Sequence, residues 1–290
     1  MNTQQGEQHM SERLLALLCC PVCKADITKG KIKARNMLVC TSCKQQYPFI
    51  GDIPSLLPPL LQEEDATIKH TYEQQSVAEK FGIESSYTGS VKYRNIMREK
   101  AASLVAMFAP KNGIVLDSGC GNGLLLEKIV EKRPDVTIIG LDISLPMVQQ
   151  AQKRNRSKTI WFLAGSLHAL PLKSSSVDTT VCIDVLHHFP ASMSITAMDE
   201  LFRVTKHSGL IIMYFIISTA FDTLLSVGNS MLQFFMIKPK VKETPLAGIH
   251  AHKVTRAFLS SYLHEKSAQW KLHWVSSFLN WALVVARRRQ

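Results

Sequence analysis

The sequence predicts an α/β fold: a doubly wound, largely parallel sheet of seven strands, preceded by a small cysteine-rich module and a helical stretch. Three observations carry that reading. From residue 114 onward, short apolar runs alternate with amphipathic stretches, the pattern of strands joined by helices on both faces of a sheet. A glycine-rich run, Ser118-Gly119-Cys120-Gly121-Asn122-Gly123, follows the first of these apolar runs. Two Cys-x-x-Cys pairs stand far upstream, at Cys20/Cys23 and Cys40/Cys43.

Taken in order, residues 1–12 are polar and are expected to be disordered. Residues 13–61 hold the cysteine quartet and close at Gly51-Asp52-Ile53-Pro54 and Pro58-Pro59, which punctuate the end of a module. The apolar run 14–18 follows Arg13, as a signal-peptide core would. It leads straight into Cys20-Pro21-Val22-Cys23 with no small-residue cleavage site, so it reads as a helix packing on a metal site. Residues 62–110 read as a helical cap, with helices over 66–81 and 91–108 separated by Gly82 and a Ser85-Ser86 turn. Residues 111–290 form the α/β domain, with strands expected at 114–116, 137–141, 160–164, 179–183, 209–217, 270–278 and 283–286.

A chain of 290 residues suits one large domain with a small appendage, and 46% hydrophobic with 20% charged residues excludes a wholly disordered protein. No uncharged apolar run near the amino end reaches the roughly 20 residues of a membrane span. Against 23 Asp+Glu stand 34 Lys+Arg, a net charge of +11. That surplus suits RNA, DNA or an anionic membrane face, or is simply a basic surface; the charges are spread along the chain, and both readings stay open. The one tight cluster, Arg287-Arg288-Arg289, reads equally well as a frayed tail. Seven cysteines, an odd number with four spaced as ligands, form a reducing-compartment pattern and point to the cytoplasm.

Each Cys-x-x-Cys pair can fold into a knuckle whose thiolates point at one ion. Two knuckles joined by a hairpin give the four-sulfur shell that Zn²⁺ prefers. Cys20, Cys23, Cys40 and Cys43 are therefore the expected zinc ligands, and four protein ligands leave no open position, so the metal is structural. A module this small buries too little apolar surface to fold without such a staple. Leu14 to Leu18 ahead of Cys-Pro-x-Cys, with Tyr47-Pro48 and Gly51-Asp52-Ile53-Pro54 behind, resemble the zinc ribbons related to Trm112, an activator of RNA and protein methyltransferases that also occurs fused to methyltransferase domains. The pairs are similar too to the amino-terminal zinc module of a class of rRNA guanine methyltransferases.

In Ile114-Val115-Leu116-Asp117-Ser118-Gly119-Cys120-Gly121-Asn122-Gly123, a buried strand ends and glycines let the backbone turn and approach a ligand before a helix opens near Leu124. A second strand ends in Asp142, about twenty residues past Gly123, where an acid can accept both ribose hydroxyls of a bound nucleoside, as in Rossmann-like folds. Two details argue against NAD. The spacing is Gly-x-Gly-x-Gly, and Asp117 would repel a pyrophosphate while suiting a cationic amino-acid moiety. Both resemble motif I of class I S-adenosylmethionine-dependent methyltransferases. Later motifs agree in order: Gly140-Leu141-Asp142-Ile143-Ser144 with Met147; Ala164-Gly165-Ser166-Leu167-His168-Ala169-Leu170-Pro171; Cys182-Ile183-Asp184-Val185-Leu186-His187-His188-Phe189, similar to the quinone-methylase-like branch; and Trp281 to Ala286, like the family's reversed last strand.

The resemblance implies S-adenosyl-L-methionine as cofactor. It assigns Asp117, Gly119, Gly121 and Gly123 to the methionine part, Asp142 to the ribose, Ile143 to the flank of the adenine, Ser166 and Leu167 to its edge, and Asp184 to the sulfonium side. Ser166 departs from the family, which usually has Asp there; a hydroxyl accepts without charge assistance. Lys206-His207-Ser208-Gly209 replaces the family's Lys-Pro-Gly-Gly turn. His187 and His188 sit where acceptor and methyl group meet and are candidate bases, or a loop signature that only packs. The chain lacks the (Asn/Asp)-Pro-Pro-(Tyr/Phe) motif of amide and exocyclic-amine methylases. The apolar stretch 210–237 reads as core, as a lid over a hydrophobic acceptor, or as a membrane-surface element, and Tyr72, Tyr87 and Tyr93 are further candidate pocket residues. The expected activity is methyl transfer to a hydrophobic or aromatic small molecule, with RNA close behind: the glycine loop and the Leu-His-His-Phe run resemble tRNA wobble-uridine methyltransferases that work with Trm112. A non-catalytic scaffold is the remaining alternative, against which the intact Asp117, glycine loop and Asp142 argue.

Overall fold

In the computed structural model the chain is described over residues 11–32, 35–61, 63–73, 90–218, 254–266, 270–276 and 281–288. The amino-terminal module comprises α1 (Glu12–Leu17), whose first turn is capped by the Ser11 hydroxyl accepting from the Leu14 amide, and a four-stranded antiparallel sheet of β1 (Ile27–Ile32), β2 (Arg35–Cys40), β3 (Gln46–Ile50) and β4 (Ile53–Pro54). Two helices follow, α2 (Glu63–Glu73) and α3 (Ser90–Phe108). The first begins three residues ahead of the expected helix; its continuation, with Tyr87 and the Ser85-Ser86 turn, lies outside the described residues, as do the side chains of Tyr72 and Tyr93.

The main sheet runs β11-β12-β9-β8-β5-β6-β7. Its strands are β5 (Ile114–Ser118), β6 (Thr137–Asp142), β7 (Ile160–Ala164), β8 (Val177–Cys182), β9 (Thr205–Ser218), β11 (Trp270–Ser276) and β12 (Trp281–Arg288), with a short β10 (Val254–Thr255) added parallel to the end of β9. Strands β5 to β9 are mutually parallel, and β12 is antiparallel to both β9 and β11, so the last strand is reversed as expected. Helices α4 (Leu124–Lys132), α5 (Leu145–Arg154), α6 (Ala191–Val204) and α7 (Arg256–Lys266) complete the described elements.

The central strands are apolar without alternation because helices cover both faces; every residue of β5 is buried. Period-2 geometry then sorts neighbours between two cores. Leu116, Ile139 and Leu163 face one, with Met198 and Leu201 of α6. Val115, Ile138 and Phe162 face the other, with Leu126 and Ile129 of α4 and Met97, Ala101 and Val105 of α3.

Leu14, Leu18, Leu38, Tyr47 and Leu56 of the cysteine module belong to the first of these cores. The module also extends the main sheet. Ser55 pairs in parallel with Ala164 at the open edge of β7, and the Leu56 amide donates to the Ala164 carbonyl at 2.8 Å. Leu18 pairs with Leu172, the Cys19 amide donates to Pro171 at 3.0 Å, and the Lys173 amide donates to Leu17 at 2.9 Å. Lys24 reaches both the Leu170 carbonyl and Glu200. An edge strand's unpaired backbone is thereby covered by the chain itself.

Two expectations change. Strand β9 starts at Thr205, opposite Val177, and regular pairing resumes at Leu210 opposite Thr179; the expected turn at Lys206 to Gly209 is a bulge inside the strand. Arg287 and Arg288 are not a frayed tail: both are paired within β12, Arg287 opposite Lys271 and Leu210, Arg288 opposite Trp270.

Candidate functional site

The carboxyl ends of the parallel strands carry the expected site residues together. Asp117, the penultimate residue of β5, is 2% exposed, and its Oδ2 has no hydrogen-bond partner among the described residues. Burial, then the nearby Asp142 charge, pushes its carboxyl up to about 7, against the pull of Arg98. A buried acid with an unused oxygen is suited to a cation.

The glycine loop follows. Gly119 has φ +85°, and a Cβ there would stand 2.1 Å from Val185 Cγ2, so only glycine lets the loop pass beneath the segment after β8. Its amide and that of Cys120 both donate to the Leu141 carbonyl, at 2.7 and 2.9 Å. Gly121 (φ +51°) has open space on its side-chain face out to Met147 Cε at 3.8 Å. Gly123 caps α4 with no side-chain acceptor, which leaves the helix's first amides to a ligand.

Asp142 ends β6. Its Oδ2 accepts from the Gly121 amide at 2.8 Å and its Oδ1 from the Ser144 amide at 2.9 Å. These bonds fix the carboxylate and partly offset the upward shift that burial imposes. Each oxygen keeps a further lone pair. Ile143 follows on the wall beside Asp142 and is packed, half-buried, against the first core.

Past β8 the backbone turns at Asp184 with φ +61°, a left-handed conformation that an L residue holds at a cost of roughly 1–2 kcal/mol. Arg98 Nη2 stands 3.6 Å from its Oδ2, and burial raises its carboxyl against Arg98 and Arg94. His187 and His188 form a one-turn 3₁₀ helix with Leu186, their rings 4.1 Å apart. Burial, then the His188 and Arg94 charges, holds His187 well below the usual histidine range, so it is neutral. Arg94 and Arg98 of α3 escaped the sequence reading. Their spacing of four residues puts them on one helix face, and that was the available signal.

Ser166 follows β7, and its hydroxyl is committed to protein partners. It donates to Asp65 Oδ2 of α2 at 2.5 Å and accepts from the His168 amide at 3.1 Å. Leu167 is buried beside it. Asp65, 2% exposed, also meets His168 Nδ1 at 2.9 Å; sequence reasoning missed this residue. A separate cavity of about 630 Å³ opens by Asn95, Glu127, Lys128 and Arg154, away from Asp117 and Asp184.

In the amino-terminal module the four sulfurs of Cys20, Cys23, Cys40 and Cys43 lie within 4.8 Å of one another. Cys20 and Cys43 are 3.6 Å apart and Cys23 and Cys40 3.4 Å. Sulfurs about 2.3 Å from a tetrahedral Zn²⁺ stand close to 4 Å apart, so the quartet fits that ion. Lys24 and Lys44, each directly after a knuckle, both take positive φ, 60° and 62°, so the two knuckles have the same turn. Crowding splits the thiols: the Ala25 amide and then the Cys40 thiol draw Cys23 down to about 6, whereas Cys43 is pushed up to about 12, the Gln45 amide opposing burial and the neighbouring thiols. The Tyr47 hydroxyl stands 3.0 Å from Cys20 Sγ.

Residues 115–209 match the family described as a methyltransferase domain. Among curated relatives, the tRNA (carboxymethyluridine(34)-5-O)-methyltransferase of Macaca fascicularis is 28% identical over 179 residues, covering 60% of this chain and 25% of that protein. The tRNA (carboxymethyluridine(34)-5-O)-methyltransferase of Arabidopsis thaliana is 31% identical over 104 residues, 36% of this chain and 24% of that protein. The chain thus spans about a quarter of the length of these relatives. Among solved structures, magnesium protoporphyrin IX methyltransferase from Synechocystis PCC 6803 with bound SAH superposes with a TM-score of 0.56 at 17% identity, over 78% of this chain and 100% of that one. A complex between the Haloferax volcanii Trm112 methyltransferase activator and a methyltransferase gives 0.52 at 16% identity, over 80% of this chain and 100% of that one. These likenesses to solved structures establish a shared fold.

Proposed function

We propose that this chain, which carries a methyltransferase domain on the class I S-adenosylmethionine-dependent fold, methylates an anionic oxygen on an RNA base. The observation that carries the reading is the placing of a buried acid, Asp117, and a half-buried one, Asp184, with two arginines, Arg94 and Arg98, around a glycine loop. The acids suit a cationic cofactor and the arginines suit an anionic acceptor. When bound, S-adenosylmethionine supplies a methyl group on a sulfonium, which an acceptor lone pair displaces.

Asp117 would hold the cofactor's ammonium, and its unpartnered Oδ2 is the acceptor for it. Asp142 would accept the ribose hydroxyls through lone pairs that its two backbone amides leave free. Leu167 and Ile143 would bound the adenine, and the amides opening α4 would meet the carboxylate. Arg94 and Arg98 would orient an acceptor carboxylate by charge. Such an oxygen is already nucleophilic, so His187 and His188 need not act as bases; neutral His187 would accept a hydrogen bond and exclude water.

RNA is favoured over the hydrophobic small molecule because two arginines, Arg94 and Arg98, stand near Asp184. Of the apolar stretch 210–237, residues 210–218 are part of β9 and the rest, with Leu225, Leu232 and Phe235, lies outside the described residues. The net charge of +11 and relatives that act on a carboxymethyluridine support the choice. A zinc ion in the cysteine quartet would be structural. No described helix is long and apolar enough to cross a membrane, and the free cysteines suit a reducing compartment such as the cytoplasm.

The test is transfer of labelled methyl from S-adenosylmethionine to RNA, lipid and small-molecule fractions of a cell extract. Label should enter RNA and be released as methanol by mild alkali, as a methyl ester is. Label confined to lipid or small molecules would reverse the ranking; alkali-stable label in RNA would reject the carboxylate acceptor.

A further inference from the structure

We propose that His168, held by Asp65, is the side chain that reads the purine amino group of the cofactor. The proposal rests on the cofactor assignment above and goes beyond it, because it moves base recognition from Ser166 to a pair of residues drawn from two different parts of the chain.

The Ser166 hydroxyl is turned away from that task. Its proton goes to Asp65 and one of its lone pairs to the His168 amide. His168 is the first residue beyond Leu167 on the same short 3₁₀ turn after β7. Its side chain is 3% exposed, and its Nε2 has no hydrogen-bond partner among the described residues. A buried ring nitrogen left without a partner destabilises the fold, and a native protein retains such a group where a ligand completes it.

Asp65 decides what that nitrogen can do. An ionised carboxylate only accepts, so its 2.9 Å contact with Nδ1 puts the proton on Nδ1. In the neutral ring Nε2 is then a lone pair, an acceptor seeking an N–H donor. The 6-amino group of adenine is one. A 6-oxo group is itself an acceptor and repels the same nitrogen. Phe189 packs on the imidazole edge at 4.4 Å and 83°, which limits rotation of the ring from the other side. The Ser166 hydroxyl meanwhile occupies Asp65 Oδ2, so that the carboxylate is held at both oxygens and cannot swing off the histidine. Asp65 is thus a positioning residue, and it arrives on α2, directly after the cysteine module, so the loop's specificity depends on a segment outside the methyltransferase domain.

The experiment is calorimetry of the full chain with S-adenosylhomocysteine and with S-inosylhomocysteine, which carries oxygen in place of the amino group. The parent should prefer the adenosyl compound by at least about tenfold, the factor that about 1.4 kcal/mol of mismatch gives. His168→Phe keeps the ring and its packing but removes the acceptor, and should bring the ratio close to one. Asp65→Leu frees the tautomer and should shrink the ratio likewise, while Asp65→Glu should retain part of it; these two decide the matter if His168→Phe does not fold. An undiminished preference in a folded His168→Phe or Asp65→Leu protein would overturn the role of the pair. A parental preference for the inosyl compound would overturn it too, since it would mean that Nε2 carries a proton. A parent that binds neither compound would instead refute the cofactor assignment, and this inference with it.

Discussion

Gly119→Ala should damage the cofactor loop in two separable ways. An alanine at φ +85° is in left-handed territory and costs about 1–2 kcal/mol. Its Cβ would also fall 2.1 Å from Val185 Cγ2, well inside van der Waals contact, so the loop or Val185 must move by more than about an ångström; overpacking of this kind costs about 1–3 kcal/mol. The sum, about 2–5 kcal/mol, corresponds to a fall in melting temperature of roughly 4–20 °C for a domain of this size. Part of the strain would be met by displacing the loop, which should weaken S-adenosylhomocysteine about tenfold or more. Val185→Ala removes the obstructing methyls but not the φ strain. In the double mutant it should recover the steric part, giving a coupling of about 1–3 kcal/mol in a double-mutant cycle read by thermal melting. Gly119→Ala melting and binding like the parent, or purely additive effects with Val185→Ala, would refute the close passage of loop and strand end.

Other perturbations follow from the same geometry. Metal analysis should give about one zinc per chain, and Cys40→Ser should lose it and lower the melting temperature; stoichiometric zinc retained without Cys20, Cys23, Cys40 and Cys43 would contradict the assignment. Asp117 carries a folded pKa raised from 3.8 to about 7, so between those values the folded chain binds more protons than the unfolded one. Its contribution to stability is therefore lost as pH rises through that window, by up to about 1.4 kcal/mol per pH unit; Asp117→Asn should flatten this slope, and cofactor affinity of the parent should rise over the same range as the acid ionises. Arg98→Ala removes the cation beside Asp184 and should raise the KM for an anionic acceptor by about ten- to a hundredfold, the worth of a charged hydrogen bond, while the dissociation constant of S-adenosylhomocysteine changes less; the reverse split would assign Arg98 to the cofactor.

What could be read from the sequence was whatever is encoded within one short window. The alternation of apolar runs, the glycine loop with Asp117 before it, Asp142 at the next strand end and the paired cysteines all lie within a few residues of the feature they announce. The reversed β12 followed from the family resemblance. Asp65 and His168 were missed because their roles exist only after chain segments far apart pack together: nothing near Asp65 in sequence signals Ser166; Arg94 and Arg98 were missed although their four-residue spacing was legible. The Lys206 to Gly209 segment was read as a turn ahead of the strand, yet the strand starts before it, because Thr205 still finds Val177 across the bulge. Arg287 and Arg288 read as tail because charge outweighed the strand signal of their neighbours, yet their backbone pairs with β11, and that of Arg287 also with β9.

The docking of the cysteine module onto β7 also sets an order of events during synthesis. Leu18 and Leu56 leave the ribosome long before Ala164 and Leu172, the residues that will cover them. At roughly 5–20 residues per second, the nascent module waits several seconds with that apolar face uncovered. Metal capture by the quartet would be a local event, complete once Cys43 has emerged, and would hold the module in shape through that interval. A chain made under zinc starvation would reach β7 with no folded edge to receive it, and its losses should show as aggregation of newly made protein, while molecules folded beforehand persist.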